Sequence, residues 1–202
     1  IQVKRIIPII TLLILLSCQN EGTKNDSSTT EYLSTESKEI EKLTIEQIDT
    51  IPDNKLIYEI VDHLSAKFGD YSNDVFVFQH FTEAEKLIYA SYLVEAEVNN
   101  GGFNQYFYNV DEAYIEYAEN GFTSIKAPEY AKLIRSAIEI YTVQKSKLEQ
   151  IQSDGSIESF SESYKNNPLN NLDDKFYDLY KTENLTQLQA NYIRQNISQF
   201  CQ

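Results

Sequence analysis

The sequence has no methionine, only two histidines, two cysteines and four prolines among 202 residues, and 17 basic residues against 31 acidic ones. Each scarcity removes something. His63 and His80 are the only imidazoles, and neither has a second ligand at metal spacing beside it, so a histidine-built metal centre or catalytic triad lacks its parts. The net charge of −14 excludes binding to nucleic acid or to an anionic lipid surface through a basic patch. No G-x-S-x-G, H-E-x-x-H or C-x-x-C pattern occurs, nor a glycine loop that would cradle phosphate. No cofactor and no metal is therefore expected, and catalysis is not. The residual enzymatic reading is acid/base work on a glycan by one of the many carboxylate pairs. The absent methionine extends to position 1, where Ile1 implies a non-standard start or a lost first residue.

Long apolar runs are also missing. The longest, Ile6 to Leu16, has eleven residues where a membrane-crossing helix needs roughly 20. It follows Lys4 and Arg5 and precedes a polar tract, which is the pattern of a secretory signal peptide over residues 1–17 rather than of a short buried helix. Its end, Leu15-Leu16-Ser17-Cys18, resembles the lipobox of bacterial lipoproteins. That resemblance implies cleavage before Cys18, diacylglycerol on its sulfur and an acyl chain on the new amino terminus. Several chains matter, because each buried methylene contributes about 0.8 kcal/mol and one chain holds only marginally. The implied location is the bacterial cell envelope, and with Gln19 after the cysteine, the outer membrane in a two-membrane cell. Cys201 is then the one remaining thiol, so no intrachain disulfide is available.

Residues 18–52 are poor in aromatics and rich in Ser, Thr, Glu, Lys and Asn, a composition that cannot offset its ordering entropy by burial. This stretch reads as a flexible polar tether, with one short helix foreseen at 40–49. From residue 53 to 202 the periodicity is helical almost throughout, and the expected fold is all-α: a single compact multi-helix domain preceded by the signal peptide and the tether. Asn54 is a candidate cap for a helix ending at Gly69. VFVF at 75–78 is the only strand-like run, too short and isolated for a sheet. Thr82 and Glu85 form a capping box for a long helix whose stripe, Ala84, Leu87, Ile88, Ser91, Val94, Glu95 and Val98, is polar only at Ser91 and Glu95. Pro128 suits the first turn of another long helix. Further helices are expected near 103–109, 111–120, 172–181 and 186–200.

The most unusual stretch is EVNNGGFNQYFYN, residues 97–109. A tight corner between helices needs one glycine; two, followed at once by aromatics, imply a backbone passing close to something. At helical spacing Phe103, Tyr106 and Phe107 share one face and are expected in the core. Asn104, Gln105, Tyr108 and Asn109 lie away from that face and form a candidate binding surface. Glu95 is expected to turn inward and accept bonds from the backbone amides freed at the corner, since a buried carboxylate needs partners. Farther on, Asp111, Glu112, Glu116 and Glu119 make an acidic stripe, with the last three at i, i+4 and i+7. It would suit a weak divalent-cation site or, more simply, a solvated face.

The string LVEAEVNNGGFNQYFYN from Leu93 to Asn109 resembles the signature of the DNA-mimic-protein-like family, a former domain of unknown function. FTSIKAPEYAKLIRSAIEIY from Phe122 to Tyr141 and the closing LDDKFYDLYK and YIRQNISQF resemble its later segments, so the likeness covers about residues 75–200. It implies an all-helical domain and a homodimer. It also implies that Glu95, Glu97, Asn99, Asn100, Gly101, Gly102, Phe103, Gln105, Tyr106 and Asn109 shape the family's common feature, while bringing no catalytic residues. The expected function is a membrane-anchored, acidic helical interaction module whose partner is an unknown protein or envelope component, with no direct contact to nucleic acid. The alternative, mimicry of DNA to sequester a DNA-binding protein, is weakened because the acidic excess is divided between the domain and the segment before it.

Overall fold

The computed structural model describes residues 42–69 and 73–201; the leader, Cys18 and most of the tether lie outside the described residues. Those residues are helical and contain no strand. In order they form α1 (Ile45–Thr50), α2 (Asp53–Ala66), α3 (Asp74–Gln79), α4 (Glu83–Asn109), α5 (Glu112–Ser124), α6 (Pro128–Ile151), α7 (Ile157–Glu162), α8 (Asn170–Leu179) and α9 (Leu185–Gln195), with a final 3-10 turn at Ile197–Gln199.

The folded region begins earlier than residue 53. Thr44 and Gln47 make a reciprocal capping box that starts α1, and Ile48 on that helix is fully buried. Arg194 of α9 fixes the junction with α2 by donating to the Ile51 carbonyl (2.6 Å) and to Asp53 (2.8 Å). Composition alone marked 42–52 as tether because its one core residue sits among polar ones. Asn54 is not the cap of α2: Pro52 precedes the helix and no side chain caps it. VFVF is helical, as α3, because Phe78 turns into a cluster with Phe81, Tyr89 and Tyr114. Tertiary packing of one aromatic overrides the β-preference of a six-residue segment.

Helix α4 is the central element and packs against α2, α5, α8 and α9, while α5 lies on α6 and α2 on α9. Its capping box is formed as the sequence indicates, and Glu85 also accepts from Lys67 Nζ (2.9 Å), tying the end of α2 to the start of α4. Ser91 interrupts the apolar stripe for a reason of space. A Cβ on Gly121 of α5 would stand 2.6 Å from the Leu87 carbonyl oxygen and 3.3 Å from Ser91 Cβ, so small residues on both helices allow their backbones to approach. The Ser91 hydroxyl is satisfied by the Ile88 carbonyl (2.9 Å).

Candidate functional site

The long helix breaks at Gly101-Gly102, and the two glycines do different things. Gly102 has φ +73° and ψ −177°, a region open in practice to glycine alone. A Cβ there would lie 2.3 Å from Asp173 Oδ2. Gly101 has ordinary extended φ (−163°), but a Cβ on it would stand 2.2 Å from Gln105 Oε1. One glycine makes the turn; the other leaves room for Gln105.

Breaking a helix frees backbone groups that need partners, and α8 with the segment before it supplies them. Asp173 Oδ1 accepts from the Phe103 amide (2.9 Å), Tyr177 donates to the Val98 carbonyl (2.8 Å) and Tyr164 donates to the Gly101 carbonyl (2.7 Å). Asp173 thus serves as a cap provided from a distant helix, and as an anion at the positive end of the second arm. Burial pushes its carboxyl above the ordinary value, with the Phe103 bond opposing.

The expected role of Glu95 is therefore filled by Asp173. Glu95 does turn inward, but sideways: its two oxygens accept from Tyr180 Oη (2.9 Å) and Gln189 Nε2 (3.0 Å), and burial raises its pKa against those bonds. Asn99 donates to the same Tyr180 oxygen (2.8 Å). Glu97, 4 % exposed, spans the inside of the corner by accepting from Gln105 (2.9 Å) and Asn109 (2.8 Å) on the far arm. Asn100 is exposed.

Phe103, Tyr106 and Phe107 are core residues, as their spacing indicates. Phe107 stacks on Tyr141 with ring centroids 4.2 Å apart. Burial raises the pKa of the Tyr106 phenol, and the nearby Glu97 adds to the rise.

The candidate surface of Asn104, Gln105, Tyr108 and Asn109 is not assembled as one. Asn104 is only 2 % exposed; it donates to Ser163 Oγ (2.8 Å) and accepts from Asn167 (2.9 Å) in a buried polar network. Gln105 and Asn109 are committed to Glu97, and Tyr108 packs on Phe160. The helix spacing was right, but it could not show that the chain at 156–171 covers that face. Asp173, Tyr164, Tyr177, Tyr180, Gln189 and Asn167 were missed as corner residues. A signal existed for three of them, since Asp173, Tyr177 and Tyr180 fall at i, i+4 and i+7 of LDDKFYDLYK, beside Leu172 and Phe176.

The acidic stripe lies on α5 and borders a groove of about 510 Å³ against α6, floored by Ile115, Ile138 and Tyr141. Asp111 is spent as the cap of α5, accepting from the Ala113 amide. Glu112 is paired with Lys145, and Glu119 with Arg135, whose bond holds the Glu119 carboxyl below its ordinary value. Glu116 is exposed between them. Among the described residues no group of three His, Cys, Asp or Glu side chains is placed to hold a metal ion. His63 and His80 are also apart in role: burial lowers the pKa of His63, while His80 Nδ1 meets the Phe76 carbonyl at 2.8 Å.

A family model described as DMP19-like protein matches residues 79–196, which contain the corner, the groove and the residues of α8 and α9 that hold the corner. The chain belongs to the DMP19-like family. No curated protein and no solved structure gives a match. The family assignment carries the helical, DNA-mimic-like character of the domain. Among the described residues no helix of this DMP19-like chain is long and apolar enough to cross a membrane.

Proposed function

We propose that this chain is an interaction module that takes a protein partner at the groove between α5 and α6, in the cell envelope and held there by lipid on Cys18. The observation that carries the reading is the groove itself: an apolar floor of Ile115, Ile138 and Tyr141 between an α5 rim bearing Glu112, Glu116 and Glu119 and an α6 rim bearing Thr142 and Lys145. Such a surface suits a partner segment with an apolar stripe and a basic side chain along the edge that meets Glu116. Binding rather than catalysis is supported by the corner, where the carboxylates of Glu95 and Glu97 are occupied by neutral donors of the fold. The homodimer is part of the proposal, as is the anchor, which rests on the leader sequence.

DNA mimicry is the second reading, favoured by the i, i+4, i+7 carboxylates of α5. Duplex DNA offers an unbroken row of charge; here Lys145 and Arg135 neutralise two of the three. One experiment separates the readings. A photo-crosslinker at Thr142, on the groove rim, is activated in intact cells, and fractions are compared with those of a Cys18→Ala control. The proposal expects a membrane-fraction adduct that is lost on Glu116→Lys and that forms undiminished in permeabilised cells given duplex DNA before irradiation. An adduct whose formation is suppressed by duplex DNA supplied before irradiation supports mimicry, and a soluble protein in both forms refutes the anchor.

A further inference from the structure

We propose that a second face, formed by Tyr58, Tyr92, Glu95, Asn99 and Tyr180, receives the guanidinium of an arginine on a protein partner. The face is built from α2, α4 and α8 and shares no residue with the α5–α6 groove, so it stands or falls separately. Tyr58 is 51 % and Tyr180 38 % exposed, unusual for large aromatics in this fold. The rings of Tyr58 and Tyr92 meet at 6.4 Å and 86°, presenting a face beside an edge. Along α4 the sequence then places Glu95 and Asn99 at three and seven residues beyond Tyr92.

The electrostatics have one sign. Asp62, Glu95 and Glu97 all act on Tyr92, and Glu95 and Tyr58 both act on Tyr180. Glu95 is a half-buried carboxylate whose partners are a phenol and an amide, and among the described residues it makes no ion pair. Each of its oxygens accepts one bond and keeps a second acceptor site. Beside it, the fully buried Gln189 has an Oε1 atom with no hydrogen-bond partner. Two acceptor sites on one carboxylate match the paired N–H groups of guanidinium, and flanking tyrosine rings match its flat, weakly hydrated faces. A lysine ammonium would gain the ring attraction without the two-point bond.

The test uses the full chain, 15N-labelled and held in nonionic detergent, titrated with N-acetylarginine amide, its citrulline counterpart (similar in shape and uncharged) and N-acetyllysine amide. The readout is the side-chain amide signals of Asn99 and Gln189. The arginine probe should give saturable shifts of both, the lysine probe weaker binding, and the citrulline probe none. Glu95→Gln should weaken the arginine probe by about tenfold or more, and Tyr58→Leu by about threefold. Glu158→Gln, exposed on α7 and outside both surfaces, should change nothing. Tyr58→Leu serves alone if Glu95→Gln fails to fold, since Tyr58 is exposed. Equal shifts with citrulline, no saturation, tighter binding of the lysine probe, or unchanged affinity in the Tyr58 variant would each overturn the assignment.

Discussion

The glycine corner and the α5–α6 groove are both rich in carboxylates, and they use them oppositely. At the corner, Glu95, Glu97 and Asp173 each accept bonds from phenols, amides or a backbone N–H of the same chain. At the groove, Glu112 and Glu119 form exposed ion pairs and Glu116 stands open. Removing a buried acceptor leaves its donors unpaired, at about 1–3 kcal/mol each. An exposed pair contributes about 0–1 kcal/mol. The inside of the corner, at Glu97 and Asp173, is therefore where substitution should harm folding, and the groove where it should harm binding alone.

Gly102→Ala should show the largest effect. It combines a backbone region closed to side chains with a Cβ 2.3 Å from the Asp173 carboxylate, for a loss of about 3 kcal/mol in urea unfolding. Gly101→Ala should lose less, about 1 kcal/mol, because its neighbour is the mobile end of Gln105, which can swing away at the expense of its bond to Glu97. Equal losses would break the division of labour between the two glycines.

Asp173→Ala should come next, at about 1–2 kcal/mol, the size of a lost helix cap. Asp173→Asn should recover most of it, since the amide oxygen still faces the Phe103 N–H.

The smallest effect is in pH dependence, and its sign is opposite to that of most carboxylates. Burial raises the pKa values of Glu95 and Asp173 in the folded state. The folded chain thus binds protons more tightly than the unfolded one at these sites. Their stabilising contribution is complete below the unfolded values and is lost as pH rises through the folded ones. Asp53 and Glu119 have lowered values and act the other way, so the quantity to measure is a difference. As the pH rises above the ordinary glutamate value, wild type should lose stability relative to Glu95→Gln; a flat difference would contradict the burial of Glu95.

Much of this architecture was legible from one chain. The capping box at Thr82 and Glu85, the first-turn Pro128 and the buried faces of α4 and α6 follow from local rules, because capping and amphipathic spacing act within a few residues. The corner's existence was legible too, from its paired glycines. Most of its wiring was not, because apart from the short-range bonds of Gln105 and Asn109 to Glu97 its partners lie 59 to 94 residues away, from Ser163 on Asn104 to Gln189 on Glu95. Helical spacing reports which residues share a face, but not which distant segment covers that face. That is why Asn104 looked available and is buried. The same blindness let a stripe of three carboxylates look unpaired, when Arg135 and Lys145 from the adjacent helix meet two of them.

The most direct test compares urea unfolding of Glu97→Ala with that of Glu116→Ala. Each removes one carboxylate from a helix. The internal role of the corner predicts a loss of about 2 kcal/mol for Glu97→Ala, which strands Gln105 and Asn109, and a change within about 0.5 kcal/mol for Glu116→Ala. Equal changes, or a larger one at Glu116, would contradict it.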